Sequence, residues 1–132
     1  MLAYLWIAMG GALGSVARFW FSGVVGRQFG ETFPWGTLLV NITGSFAIGV
    51  LAALAEPGGR HFIKPAGRQF LIYGVCGGYT TFSSFSLQTL ELLREGDWFK
   101  AGFNAAASLG LCLVAVWLGY ALGASFNGLK GG

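Results

Sequence analysis

The chain has 132 residues, of which 55% are hydrophobic and only 10% charged, where a soluble domain has about 25% charged. Its net charge of +3 comes without a basic run or a nucleic-acid motif, so the excess fits phospholipid headgroups rather than nucleic acid. Charges gather at Arg18–Glu31, Glu56–Arg68, Glu91–Lys100 and Lys130, leaving the uncharged runs Met1–Ala17, Phe33–Ala55, Gln69–Leu90 and Ala101–Leu129.

A spanning helix needs about 20 mostly apolar residues. Helix one is predicted over Leu2–Val24; it reaches that length only by including Arg18 and continuing through Phe19, Trp20 and Phe21. The start "MLAYLWIAMGG" has no Lys or Arg before the apolar region, so we read a retained helix rather than a signal peptide. Arg18 either snorkels to the interface or lines an aqueous vestibule. Loop one, "VGRQFGETFP", ends at Pro34, a start signal for helix two over Trp35–Ala55. Asn41 lies mid-helix in "TLLVNITGSF". Its amide either bonds a neighbouring helix or donates to an anion. Loop two, "EPGGRHFIKP", carries His61 as a solvated residue.

Helix three is predicted over Gln69–Leu93, interrupted near Gly77. The stretch "GGYTTFSSFS" is too polar for a lipid-facing helix, and Gly77-Gly78 followed by Thr80-Thr81 reads as a break. Non-helical backbone at membrane depth survives only where it is buried in protein or lines a cavity, and unwound carbonyls in such breaks can coordinate Na+. Beyond the break Phe82 and Phe85 share one face. A phenyl ring has a positive edge, so a small hard anion can approach the rings while Ser83, Ser84 and Ser86 donate hydrogen bonds. The short loop "REGDW" makes helix four, over Ala101–Ser125, an antiparallel neighbour of helix three. Ser108 and Cys112 sit one turn apart on it, with packing or back-bonding to the i−4 carbonyl as the simplest reading.

The expected fold is therefore an all-α membrane protein: a single four-helix domain over residues 1–132. Arg60, Lys64, Arg68 and Lys130 lie on one side; Arg27, Arg94 and Lys100, with Arg18 if it snorkels, lie on the other. This near-balance removes the usual orientation bias and points to an antiparallel, dual-topology homodimer. Gly10-x-x-x-Gly14, Gly74-x-x-x-Gly78 and Gly119-x-x-x-Gly123 support tight packing and an oligomer. Cys76 and Cys112 read as buried thiols. The spans hold no Asp or Glu except Glu91 near a helix end, which argues against proton coupling. No Ser-His-Asp, Cys-His or metal-ligand set supports an enzyme.

The motifs "GxxTTFSSFS" on helix three, "GTLxVNxxGSFxIG" over Gly36–Gly49 and "GGxxGxxxR" over Gly10–Arg18 resemble those of the Fluc/CrcB fluoride channels, and the resemblance covers nearly the whole chain. It implies a dual-topology homodimer in the bacterial plasma (inner) membrane, with two pathways that let cytoplasmic fluoride leave passively. It implies that Phe82 and Phe85 box fluoride, that Asn41 is the pore asparagine, and that Ser83 and Ser84 form the hydroxyl track. It further implies that Arg18 is the vestibule arginine, and that the carbonyls of Gly77 and Thr80 hold a structural Na+. Gln88 departs from members that carry Glu there. Asn104, Ser108 and Cys112 stand where aromatic or hydroxyl groups are expected. The rival readings are a small dual-topology multidrug-type exporter, which predicts a membrane Glu that Met1–Ala17 lacks, and a non-transporting structural protein.

Overall fold

A computed structural model of the chain describes residues 1–59 and 63–128. Arg60, His61 and Lys130, read above as loop and terminal residues, lie outside the described residues. The elements are α1 (Leu2–Phe29), α2 (Trp35–Leu54), α3 (Pro65–Arg68), a π-helical stretch (Gln69–Cys76), α4 (Gly77–Tyr79), α5 (Phe82–Arg94) and α6 (Trp98–Phe126). No strand occurs among the described residues. Three helices, α1, α2 and α6, are long and apolar enough to cross a membrane. At about 1.5 Å per residue even α2 matches the roughly 30 Å hydrocarbon core.

The helix ends follow local chemistry. α1 runs five residues past the expected Val24 and stops where Gly30 takes a φ of +84°, its N–H returning to the Gly26 carbonyl at 2.8 Å. Arg27 in the last turn places a cation at the negative end of the helix dipole. Pro65 opens α3 four residues before the expected start, at a position that needs no N–H. α6 also starts early, at Trp98, because the Asp97 carboxylate caps it, accepting the Lys100 N–H at 3.2 Å.

The principal packing pairs α2 with α6, and α1 with the π-helical stretch and α4. Both depend on glycine. A Cβ on Gly10 or Gly14 would run into the backbone at Phe70 or Val75, and one on Gly78 would stand 2.6 Å from the Gly11 carbonyl oxygen. On the other pair, Gly49 faces Val116 and Tyr120, while Gly119 and Gly123 face Phe46 and Val50. All three small-residue motifs are thus occupied within one chain, and they lend no support to an oligomer.

The burial pattern inverts that of a soluble protein. Leu2, Leu5, Met9, Leu13, Val16 and Trp20 form an exposed stripe at helical spacing along α1. Leu109, Leu113 and Trp117 do the same on α6. The interior holds mostly small and polar residues beside Phe33, Leu38 and Leu92; Val40, Asn104 and Asn127 are the largest fully buried side chains. Large apolar groups outside and small ones inside suit lipid, where close packing rather than burial from water joins helices. The chain is a multi-pass membrane protein.

Candidate functional site around a broken helix

The break in the third helical path falls at Thr80 and Thr81, not at the glycine pair. Gly77 has an ordinary helical φ of −61° and belongs with Gly78 to α4. Thr80 and Thr81 are extended, with ψ of 155° and 119°. Of the pair, Gly78 is there for close approach to Gly11 of α1. The interruption comes from Thr81, whose hydroxyl takes the Ser84 N–H at 3.2 Å as the N-cap of α5. A capping residue adopts extended backbone, so the second half-helix begins one residue later.

Asn41 of α2 closes the gap that this leaves. Its Nδ2 donates to the Thr81 carbonyl at 3.0 Å, and its Oδ1 accepts the Thr81 N–H at 2.8 Å. Both ends of the amide therefore bond the backbone of one residue, Thr81, whose N–H has no helix partner across the break. Of the two roles left open for Asn41, the interhelical bond is present. The second Nδ2 proton is still available as a donor. Arg18 of α1 reaches the other side of the break. It is half-buried, and its Nε donates to the Gly78 carbonyl at 3.1 Å. Its side chain is thus tied to the backbone of α4.

Past the break, the Phe82 and Phe85 rings stand 5.4 Å apart at 50°. Phe82 is 78% exposed, while Phe85 is half-buried. Ser83 is exposed and lies 3.3 Å from the Thr81 hydroxyl; Ser84 is half-buried. Ser86 donates to the Phe82 carbonyl at 2.9 Å. Gly77 is exposed, and a Cβ there would meet nothing closer than the Ile72 carbonyl at 3.8 Å. Gly77, Phe82 and Ser83 therefore all lie on surface that this chain leaves uncovered.

On α6, Asn104 is 1% exposed and donates to the Thr89 hydroxyl at 3.0 Å, which itself donates to the Phe85 carbonyl at 2.7 Å. A hydrogen-bonded chain thus ties α6 to the backbone of a candidate ring residue. Ser108, one turn on, does not make the expected bond to its own helix. Its hydroxyl is buried without a hydrogen-bond partner, as is the Gln88 carbonyl oxygen on α5. Such groups are costly.

Sequence reasoning read Thr81 as part of the break but not its capping role, and it passed over Thr89, Tyr79 and Thr43. The TT pair could have revealed the first, since Thr three residues before the Ser84 amide is an N-cap signal. The others depend on long-range pairing. A groove of about 940 Å³ also lies between the second half of α1, the α1–α2 turn and α5. Arg27, Glu31, Glu91 and Glu95 supply its charges, with Gln88 on its wall. Arg18 is not among its lining residues. Among the described residues no group of three or more His, Cys, Asp or Glu could hold a metal ion.

Comparison with known proteins places the chain in a family. The profile of the family described as CrcB-like protein, Camphor Resistance (CrcB) matches residues 5–120. A protein of Opitutus terrae named fluoride-specific ion channel FluC is 61% identical, over 99% of both chains. Proteins of the same name from Methylocella silvestris and Rhodospirillum rubrum are 52% and 55% identical. Those two matches cover 97% and 90% of this chain, and 98% and 92% of the relatives.

Proposed function

This chain belongs to the CrcB-like family, and on that premise we propose that it is a fluoride-selective channel rather than an enzyme, giving cytoplasmic fluoride a passive way out. HF crosses a bilayer neutral and dissociates inside, so a cell that takes it up traps the anion. The observation that carries the reading is the site at the break. A 13-residue half-helix starts there, with a hydroxyl pair and a ring pair in its first turn. Fluoride is strongly hydrated, and a path must replace that water. The N-terminal end of α5 carries partial positive charge. Ser83 and Ser84 donate O–H bonds, Asn41 has its second amide proton, and Phe82 and Phe85 offer positive ring edges. Arg18 keeps a cation beside the same segment. Ser108 brings a hydroxyl from α6.

We further read the working unit as one four-helix domain, with Pro65–Arg94 as its third, broken crossing. Two inverted copies would pair in the bacterial inner membrane through the uncovered surface at Gly77, Phe82 and Ser83. The near-even distribution of Lys and Arg supports this. A structural Na+ suits the break, because the Thr80 ψ of 155° turns its carbonyl out of the helix and no Cβ shields Gly77. Two carbonyls from each of two copies would make an all-oxygen set for a hard cation. Gly77 and Thr80 would hold it, and when bound it supplies a fixed positive charge near the anion path.

Purified protein in liposomes loaded with fluoride is expected to release it in a protein-dependent way, read with a fluoride electrode, with far slower chloride release. No release above protein-free liposomes would overturn the reading. Dual topology is checked separately. Gly58 is exposed, with open space around it. Gly58→Cys in a background of Cys76→Ala and Cys112→Ala is expected to react with an impermeant thiol reagent from both sides of the membrane. Reaction from one side alone would mean a single orientation.

A further inference from the structure

The short segment Asn41–Gly44 of α2 meets the break residue by residue. Asn41 holds Thr81 through both amide groups. A Cβ on Gly44 would overlap the Thr80 methyl and lie 3.0 Å from the Tyr79 ring, so the missing side chain is the space that these two residues occupy. Thr43 stands 2.9 Å from the Tyr79 hydroxyl, oxygen to oxygen. The direction of that bond follows from the neighbours. The Thr43 hydroxyl has two acceptors on its own helix, the Leu39 carbonyl at 2.8 Å and the Val40 carbonyl at 3.1 Å, and its one proton serves these. The Tyr79 hydroxyl is then the donor and Thr43 Oγ1 the acceptor.

Thr80 lies between these two attachments. Its N–H and its hydroxyl both go to the Cys76 carbonyl, each at 3.0 Å, which leaves the orientation of its own carbonyl to the peptide unit that follows. Asn41 fixes that unit from the Thr81 side. Tyr79 fixes the preceding turn. From this geometry we infer that Tyr79 and Thr43 are positioning residues: their hydroxyl–hydroxyl latch, together with the Asn41–Thr81 clamp, sets the direction of the Thr80 carbonyl and so tunes the cation site at the break. A Phe at 79 would fill the same space but lack the latch. The inference rests on the reading of Gly77 and Thr80 as Na+ ligands.

The test measures dimer retention on size exclusion after a fixed heat challenge, as Na+ replaces a large organic cation, with fluoride efflux as a second readout. Tyr79→Phe and Thr43→Val are each expected to raise the Na+ concentration for half-maximal retention about fivefold, the effect of one neutral hydrogen bond. The double variant is expected to shift no further than either single one, because the two hydroxyls form one bond. Thr43→Ser keeps the acceptor and is expected to behave like the parent. At saturating Na+ all variants are expected to reach the parent's plateau. A merely structural bond would instead lower retention equally at every Na+ concentration. An unchanged midpoint in Tyr79→Phe, or shifts that multiply in the double variant, would overturn the latch while leaving the cation site standing. A parent whose dimer is indifferent to Na+ would overturn the cation site and the latch with it.

Discussion

Asn41→Asp is expected to reduce fluoride efflux per folded dimer by about a hundredfold. The substitution keeps the acceptor oxygen for the Thr81 N–H and loses the donor to the Thr81 carbonyl. In its place a carboxylate oxygen faces a carbonyl oxygen, beside the proposed anion path. Two unit charges about 6 Å apart repel by roughly 3 kcal/mol at an effective dielectric constant of 20, and that height added to a barrier is about a hundredfold in rate. The lost hydrogen bond would cost stability as well, about 1 kcal/mol, since the part-buried Thr81 carbonyl keeps its bond within α5. Asn41→Leu separates the two effects, since it removes both bonds without adding charge. Efflux measured per folded dimer, with size-exclusion profiles as the folding control, is expected to fall further for Asp than for Leu. Equal efflux in the two would sink the charge argument, and normal efflux in well-folded Asn41→Asp would remove Asn41 from the anion path altogether.

Leucine at Phe82 and Phe85 is expected to lower efflux about fivefold for each ring and about 25-fold for both, if each ring edge contributes about 1 kcal/mol, the scale of one aromatic contact. The simpler role for a phenylalanine is core packing. Exposure separates the two readings at Phe82. That ring is 78% exposed and touches little of its own chain beyond Phe85, so packing within the chain predicts almost no stability loss there. Phe85 is half-buried, and its replacement is expected to cost about 1 kcal/mol, as conservative core swaps do. Leu has no positively polarised ring edge, so the coordination role predicts folded dimers that conduct poorly. Efflux per folded dimer near the parent level in both single variants would return the rings to packing.

Composition and charge spacing were enough to locate the helices. Three of the four expected spans appear as continuous helices whose bounds differ from the expected ones by no more than five residues. The differences come from ends that an apolar run does not mark. Arg27 continues α1 past its apolar stretch, and the Asp97 cap starts α6 before its own. The candidate residues were legible too, because a polar group inside an apolar run stands out whatever the fold. Asn41, Arg18, Thr80 and Ser108 were all visible in that way.

What each of those polar groups bonds was not legible. A lone Asn in a helix reads equally as interhelical glue or as a pore donor, and only its two bonds to Thr81, forty positions away, show that it braces the break. The glycine pair misled for a related reason. Glycine permits a broken helix and permits close packing, and sequence does not distinguish the two uses. The backbone of Gly11 against Gly78 decided for packing and moved the break three residues on, to a threonine that caps the next helix. By itself the sequence determined the membrane class, the number and order of the apolar runs and the family, since these depend on hydropathy and on motifs that are local along the chain. The tertiary structure alone decided which glycines touch, which carbonyls turn outward and which hydroxyls remain unpaired, because those follow from contacts between helices that are far apart in sequence.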